Sequence, residues 1–248
     1  MKILVCISSV PDTTSKINFT NENRKFDPNG VQFIINPNDE FGLTKAIMLK
    51  EKLGASITLI NVGTPETEPT LRKAFALGAD DIIRINAPAH DGFFVATQIA
   101  KVAKEQHFDL IITGKESIDY NGGMVGGMVA ALLDYPFINK CIALEINAGQ
   151  VSAEREVSGG KEKISTKLPL VIAGQKGLVN EKDLRIPNMR NLMAARTKQI
   201  TVIEADNQNH HTEIVSFEKH PAKNPVKMIS PDNLDELIDL LHNEAKVI

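Results

Sequence analysis

The stretch with the most chemical potential is Gly114-Lys115-Glu116-Ser117-Ile118-Asp119-Tyr120-Asn121-Gly122-Gly123-Met124-Val125-Gly126-Gly127. Its glycine pairs stand where a helical pattern, residues 122–133, begins. Glycines let backbone approach a ligand closely, and a helix start offers free N–H groups at the positive end of a dipole. That combination suits a phosphate. Tight helix–strand packing around a glycine-rich turn explains the same residues equally well. Neither a Walker A loop nor a GxGxxG motif is present. Two further loops could join it: Ser8–Thr14, and Asn61-Val62-Gly63-Thr64-Pro65. A fourth segment, Asn36-Pro37-Asn38-Asp39-Glu40, reads as a helix start. Asn38 is the natural N-cap there, and Asp39 and Glu40 complement the dipole. Asn36 and Asp39 could instead hydrogen-bond a nucleotide ribose or base. No nucleophile–base pair follows from spacing, which gives a hydrolase or covalent catalyst little support. The six His are scattered, and His210-His211 in the polar stretch Asn207–Thr212 reads as a solvated loop, not a metal site. Glu154-Arg155-Glu156 reads as surface charge on a strand.

The elements needed to position these loops are legible as an alternation. Apolar strands are expected at Lys2–Ile7, Ser56–Val62, Asp81–Ile85 and Asp109–Thr113. Between them fall helical patterns at Asp39–Leu53, stopped by Gly54, at Glu66–Leu77, with Gly78 as C-cap, and at Phe93–Gln106. The fold class that follows is α/β, a doubly wound, mostly parallel sheet with helices on both faces. The three glycine- and polar-rich loops would follow the carboxyl ends of strands, where such sheets bind ligands. Residues 15–35 interrupt the alternation and read as an inserted hairpin around Asp27-Pro28-Asn29-Gly30. Extended segments follow at Ile142–Ile146, Val151–Val157 and Lys163–Thr166, then an apolar strand at Leu168–Ala173. Beyond Gly174 the apolar density falls, as in an extended arm. A last helix is expected to start at Ser230-Pro231-Asp232, with Leu234, Leu237, Ile238 and Leu241 on one face.

Composition limits the classes. The chain has 248 residues, 42% apolar and 24% charged, which excludes disordered and fibrous classes. A net charge of −3, no Trp and 2 Tyr argue against a nucleic-acid binder, which needs a basic face and stacking platforms. The 2 Cys, Cys6 and Cys141, both read as buried strand residues and form no CxxC, which fits a reducing compartment. The first apolar run is too short for a signal core, and no stretch approaches the roughly 20 apolar residues of a spanning helix. A cytoplasmic protein without membrane insertion is expected.

Several segments together carry a resemblance. They are Val10-Pro11-Asp12-Thr13, Ile35–Asp39, Ala76-Leu77-Gly78-Ala79-Asp80, Asp109–Asp119, Glu154-Arg155-Glu156 with Gly159-Gly160, Leu168-Pro169, and Arg185–Arg196. In this order and spacing the chain resembles the β subunits of electron-transfer flavoproteins, the family that includes FixA proteins. The resemblance implies an adenine nucleotide α-hydrolase-like fold over 1–175, a partner-recognition loop and strand over 176–204, and a C-terminal arm and helix over 205–248 that dock on an α subunit. It implies AMP held structurally in this chain and FAD on the α subunit. It also implies electron transfer from acyl-CoA dehydrogenases to ETF-quinone oxidoreductase, with no catalytic residue of the chain's own. The implied AMP pocket is Cys6, Asn36, Pro37, Asn38, Asp39, Val62, Gly114, Lys115, Glu116, Ser117, Ile118, Asp119, Tyr120, Asn121, Gly122, Gly123, Met124 and Val125. The implied recognition residues are Met189 and Arg185, with Glu156 and Arg185 near the flavin. A core-packed Met189 is the alternative. Departures are Ser8-Ser9 where the family often has a basic residue, and Asn180–Arg185 in place of Asn-Glu-Pro-Arg-Tyr. Some members hold a second FAD in place of AMP, oxidise NADH and bifurcate electrons, and these segments accommodate that chemistry too. A nucleotide-sensing module of the universal-stress type shares the broad fold.

Overall fold

The computed structural model describes residues 1–206, 210–221 and 225–248. Residues 207–209, part of the polar stretch before the His pair, and 222–224 of the arm lie outside the described residues. The strand β1 (Lys2–Cys6) leads into four short strands, β2 (Ser9–Pro11), β3 (Asn18–Thr20), β4 (Lys25–Asp27) and β5 (Phe33–Ile35). Next come α1 (Pro37–Leu53), β6 (Ser56–Val62), a 3₁₀ turn, α2 (Glu68–Ala76), β7 (Asp81–Asn86), α3 (Gly92–Gln106), β8 (Leu110–Gly114) and α4 (Val125–Leu133). The chain continues through β9 (Phe137–Asn147), β10 (Gln150–Val157), β11 (Gly160–Lys167) and β12 (Leu170–Gly174). It then forms α5 (Met189–Thr197), β13 (Thr201–Glu204) and α6 (Leu234–Asp239), which runs into a π turn over Leu240–Glu244.

Nine strands form one sheet in the order β11-β10-β9-β12-β8-β1-β6-β7-β13. The pairs from β9–β12 to β7–β13 are parallel, and the β9-β10-β11 meander is antiparallel. The central strands are near-continuous apolar runs because both faces are covered. On one face α1 and α2 bury Leu43, Ile47 and Leu71 against Ile3, Val5, Leu59 and Ile112. On the other, α3 and α4 bury Phe94, Ile99 and Val129 against Leu4, Ile60, Ile111 and Val171. Each fully buried Leu or Ile contributes about 1.5–3 kcal/mol, so this double layer is the main source of stability.

The expected alternation is present, with local differences. α1 starts at Pro37, so Asn36, not Asn38, is the N-cap residue, and it makes no side-chain cap bond. Pro favours the first helical position, where its missing N–H has no partner to lose. α2 starts at Glu68 after the 3₁₀ turn Pro65–Thr67, and Leu77 rather than Gly78 caps its C-terminus. α4 starts at Val125, not Gly122, leaving Gly122 and Gly123 in the loop. The insertion after β1 is a nested pair of ladders. β3 pairs with β4 and β2 with β5, both antiparallel. The inner turn is Asn21-Glu22-Asn23, all left-handed (φ 52, 55 and 63°). The turn at Asp27–Gly30 joins the two ladders and does not close the hairpin. The segment after Gly174 is not wholly extended: it supplies α5, and β13 adds a parallel edge strand beside β7. Asn233, not Ser230, caps the last helix.

Candidate functional site

The sheet order places a topological switch between β1 and β8. From β1 the chain winds outward through α1 to β6 and through α2 to β7. It then returns by α3 to β8 on the other side of β1. The loops leaving β1 and β8 therefore diverge to opposite faces and open a crevice at their carboxyl ends, where doubly wound sheets bind ligands.

Asp39 joins the two walls of this crevice. Its Oδ2 accepts from the Ser8 N–H just beyond β1 at 2.7 Å, and its Oδ1 from the Gly114 N–H at the end of β8 at 2.9 Å. Asn36 Nδ2 also donates to Asp39 Oδ1, at 3.0 Å. Gly114 permits this close approach: a Cβ there would collide with Asp39 Oδ1 and lie 2.9 Å from Asn38 Cβ. Asp39 is 2% exposed. Burial raises its pKa to about 7, outweighing the hydrogen bonds from Ser8, Asn36 and Gly114 that favour the carboxylate. Cys6 lies beside it at the end of β1. Burial first, and the Asp39 charge second, raise the thiol pKa, which keeps it protonated.

The loop from β8 to α4 is braced from the start of α1. Asn36 Nδ2 and Asn38 Nδ2 donate to Glu116 O at 2.9 and 3.1 Å, and the Lys115 N–H donates to Gly174 O at 2.8 Å. Ser117 and Gly122 form an isolated antiparallel bridge, with Ser117 Oγ bonded to Asp119. Ile118 and Asp119 lie within that turn, and Asn121 takes a left-handed φ of 51°. Tyr120 and Met124 face solvent. Lys115 is paired with Glu116 at 3.2 Å. At the end of the loop, α4 begins without a side-chain cap, so its first N–H groups have no side-chain acceptor. Gly126 lets this helix start sit close to the sheet: a Cβ there would lie 2.6 Å from Thr113 Oγ1 and 3.2 Å from Phe137.

The expected pocket residues thus converge in part. Cys6, Asn36–Asp39, Gly114 and the start of the loop that runs to Val125 come together at the carboxyl ends of β1 and β8, and Val62 ends β6 next to β1 in the sheet. The side chains of Asn36, Asn38 and Asp39 hydrogen-bond protein backbone, so their observed work is to hold the loops. Glu156 lies elsewhere. With Gln175, Lys161 and Lys176 it lines an open cleft of about 540 Å³ between β10, β11 and the segment after β12. Gln175 Nε2 donates to Glu156, while its Oε1 is buried without a partner. Arg185 pairs with Glu51 on α1 at 2.6 Å and not with Glu156. Met189 is 73% exposed, so it does not pack in the core. Two contributors were not singled out from the sequence. Ile186, three residues before α5, is 89% exposed. Arg84 is a buried charge on β7 that bonds Gly63 O at 2.9 Å and Glu68 at 3.2 Å. Only an Arg within an apolar strand pattern hinted at it. Among the described residues no group of three or more His, Cys, Asp or Glu could hold a metal ion, and no helix is long and apolar enough to cross a membrane.

These features define a class: a doubly wound α/β protein with a topological switch point between β1 and β8 and a largely exposed C-terminal region. The model of the electron transfer flavoprotein domain matches residues 24–208. The chain is 36% identical to the electron transfer flavoprotein subunit beta of Bacillus subtilis (strain 168), an alignment covering 100% of both chains. It is 28% identical to the corresponding subunit of Sus scrofa, over 100% of this chain and 99% of that one. Protein FixA of Azotobacter vinelandii is 30% identical, over 82% of this chain and 74% of that protein. The chain belongs to the electron transfer flavoprotein family, among its β subunits and FixA proteins. Its role is electron transfer, as a subunit of that type.

Proposed function

We propose that the chain holds AMP as a structural ligand in the switch-point crevice and assembles with an α subunit that carries FAD. The pair then takes electrons from acyl-CoA dehydrogenases and passes them to ETF-quinone oxidoreductase. The observation that carries the nucleotide reading is the crevice between β1 and β8, which ends on the uncapped start of α4. A phosphate suits it because the unpaired N–H groups and the helix dipole supply the positive potential. Asp39 does not oppose the anion, since burial keeps its carboxyl largely protonated below about pH 7. Lys115 is occupied by Glu116, so recognition falls to backbone donors of the loop and α4. The adenosine end would lie toward Cys6, Val62 and the Asn36–Asp39 turn. In this reading the chain binds and orients; it moves no proton and forms no covalent bond.

The partner surfaces follow from exposure. Ile186, Met189 and Met193 form an apolar ridge at the start of α5 suited to a transient contact with dehydrogenases. Leu234, Leu237 and Ile238 of α6 are exposed, which suits them to bury against an α subunit. Glu156 and its cleft, together with Arg185, would lie toward the flavin.

The test is to denature the purified heterodimer and identify the released nucleotides. One AMP and one FAD per heterodimer is the expected result, and no adenine nucleotide beyond FAD would overturn it. Two FAD, with reduction by NADH, would assign the crevice to a second flavin and the protein to the bifurcating subclass.

A further inference from the structure

The proposed docking helix α5 has almost no hydrophobic anchorage. Of its residues Met189–Thr197, Ala195 alone is buried. A helix of this length is unstable in water unless other contacts hold it. Its N-terminus is capped by Asn188, whose Oδ1 accepts from the Asn191 N–H at 2.8 Å. Its C-terminus is held from the body. Arg72 of α2 lies with Nη1 at 2.7 Å from Ala195 O, 3.2 Å from Arg196 O and 2.8 Å from Lys198 O. The last carbonyls of a helix lack intrahelical partners and carry its negative dipole end, so a guanidinium satisfies them both by hydrogen bonding and by charge. Arg72 is itself steered by Glu68, one turn earlier at 3.8 Å. Glu68 is in turn fixed by the buried Arg84. Just past the helix, Lys198 Nζ donates to Asp80 O at 2.7 Å and to Asp81 at 2.8 Å.

We propose that Arg72 is the positioning residue of the docking surface: it clamps the C-terminus of α5 to the sheet domain and so holds Ile186, Met189 and Met193 in the presentation a partner meets. This rests on the reading that α5 docks flavin dehydrogenases. The clamp is polar and placed at one end, which leaves the apolar side of the helix free for a partner. Lys cannot replace it fully, because Arg72 turns Nη1 to the carbonyls while its second nitrogen, Nη2, faces Glu68, and a single ammonium on a flexible stem lacks that rigid fork.

The test compares wild type, Arg72→Met and Arg72→Lys in the assembled, flavin-loaded heterodimer. Amide exchange is read by mass spectrometry over 189–198 and over β1, β6 and β8. Steady-state electron transfer from an acyl-CoA dehydrogenase is measured against flavoprotein concentration. Arg72→Met is expected to speed exchange in α5 by about tenfold while leaving the three strands unchanged. It is expected to raise KM for the flavoprotein by about three- to tenfold with kcat unchanged. Arg72→Lys should recover part of both effects. Unchanged exchange in α5, or exchange rising equally in the strands, would overturn the clamp. Faster α5 exchange with an unchanged KM would overturn its role in docking. A wild type that accepts no electrons from the dehydrogenase would sink the docking reading instead, and the exchange data would still judge the clamp.

Discussion

Asp39 concentrates the chemistry of the crevice in one carboxyl group. Its pKa of about 7 lies above the unfolded value of 3.8. Between those values the folded protein holds a proton that the unfolded chain has released. Its contribution therefore makes stability fall as pH rises through that window and level off above it. Asp39→Asn should abolish this slope in urea midpoints measured from pH 5 to 8. It should also cost about 1–3 kcal/mol at pH 5, because an amide donor would then face one of the N–H groups the carboxyl accepts. A slope that survived the substitution would place the titrating group elsewhere. Gly114→Ala acts on the same contact from the other side. Its Cβ has no room beside Asp39 and Asn38, so the β8 loop must move. AMP should be lost from the purified heterodimer, and midpoints should drop by about 1–3 kcal/mol.

Among the elements, α4 and α5 show how a short helix can be placed by its ends. α4 lies close to the sheet because Gly126 sits against Thr113 and Phe137. Gly126→Val should push its N-terminus outward and lower AMP affinity at least tenfold by calorimetry on nucleotide-stripped protein. Retained affinity would remove the α4 start from the phosphate site. The apolar ridge predicts the opposite pattern. Met189→Ser with Met193→Ser should leave thermal stability within about 0.5 kcal/mol, since both side chains are exposed. Electron uptake from an acyl-CoA dehydrogenase should fall severalfold through KM. A large loss of stability would mean the residues pack within the chain after all. Much of this element scale was legible beforehand. The glycine pairs occur in a strong local pattern, whereas Asp91, which caps α3 through the Phe94 N–H, was not singled out from the sequence. The start of α1 was shifted because Pro37 accepts a first-turn position that a capping pattern alone assigns to Asn38.

Across the whole molecule, the double-layered sheet is closed on both faces while the C-terminal segment is not. α6 leaves Leu234 at 60% and Ile238 at 56% exposure. Leu234→Asp with Ile238→Asp should weaken assembly with the α subunit at least tenfold in analytical ultracentrifugation while leaving the β-chain unfolding midpoint unchanged. Equal assembly would exclude α6 from the interface. The sequence by itself determined the alternation of strands and helices, the doubly wound class, the crevice loops and the apolar face of α6. All of these rest on local periodicity and turn chemistry. Only the tertiary structure decided that β1 and β8 flank the switch point, that β13 returns to the sheet beside β7, and that Arg72 reaches the end of α5 more than a hundred residues away. Strand order, and ion pairs between distant residues, depend on which surfaces meet when the layers close, and no local pattern in the chain encodes that meeting.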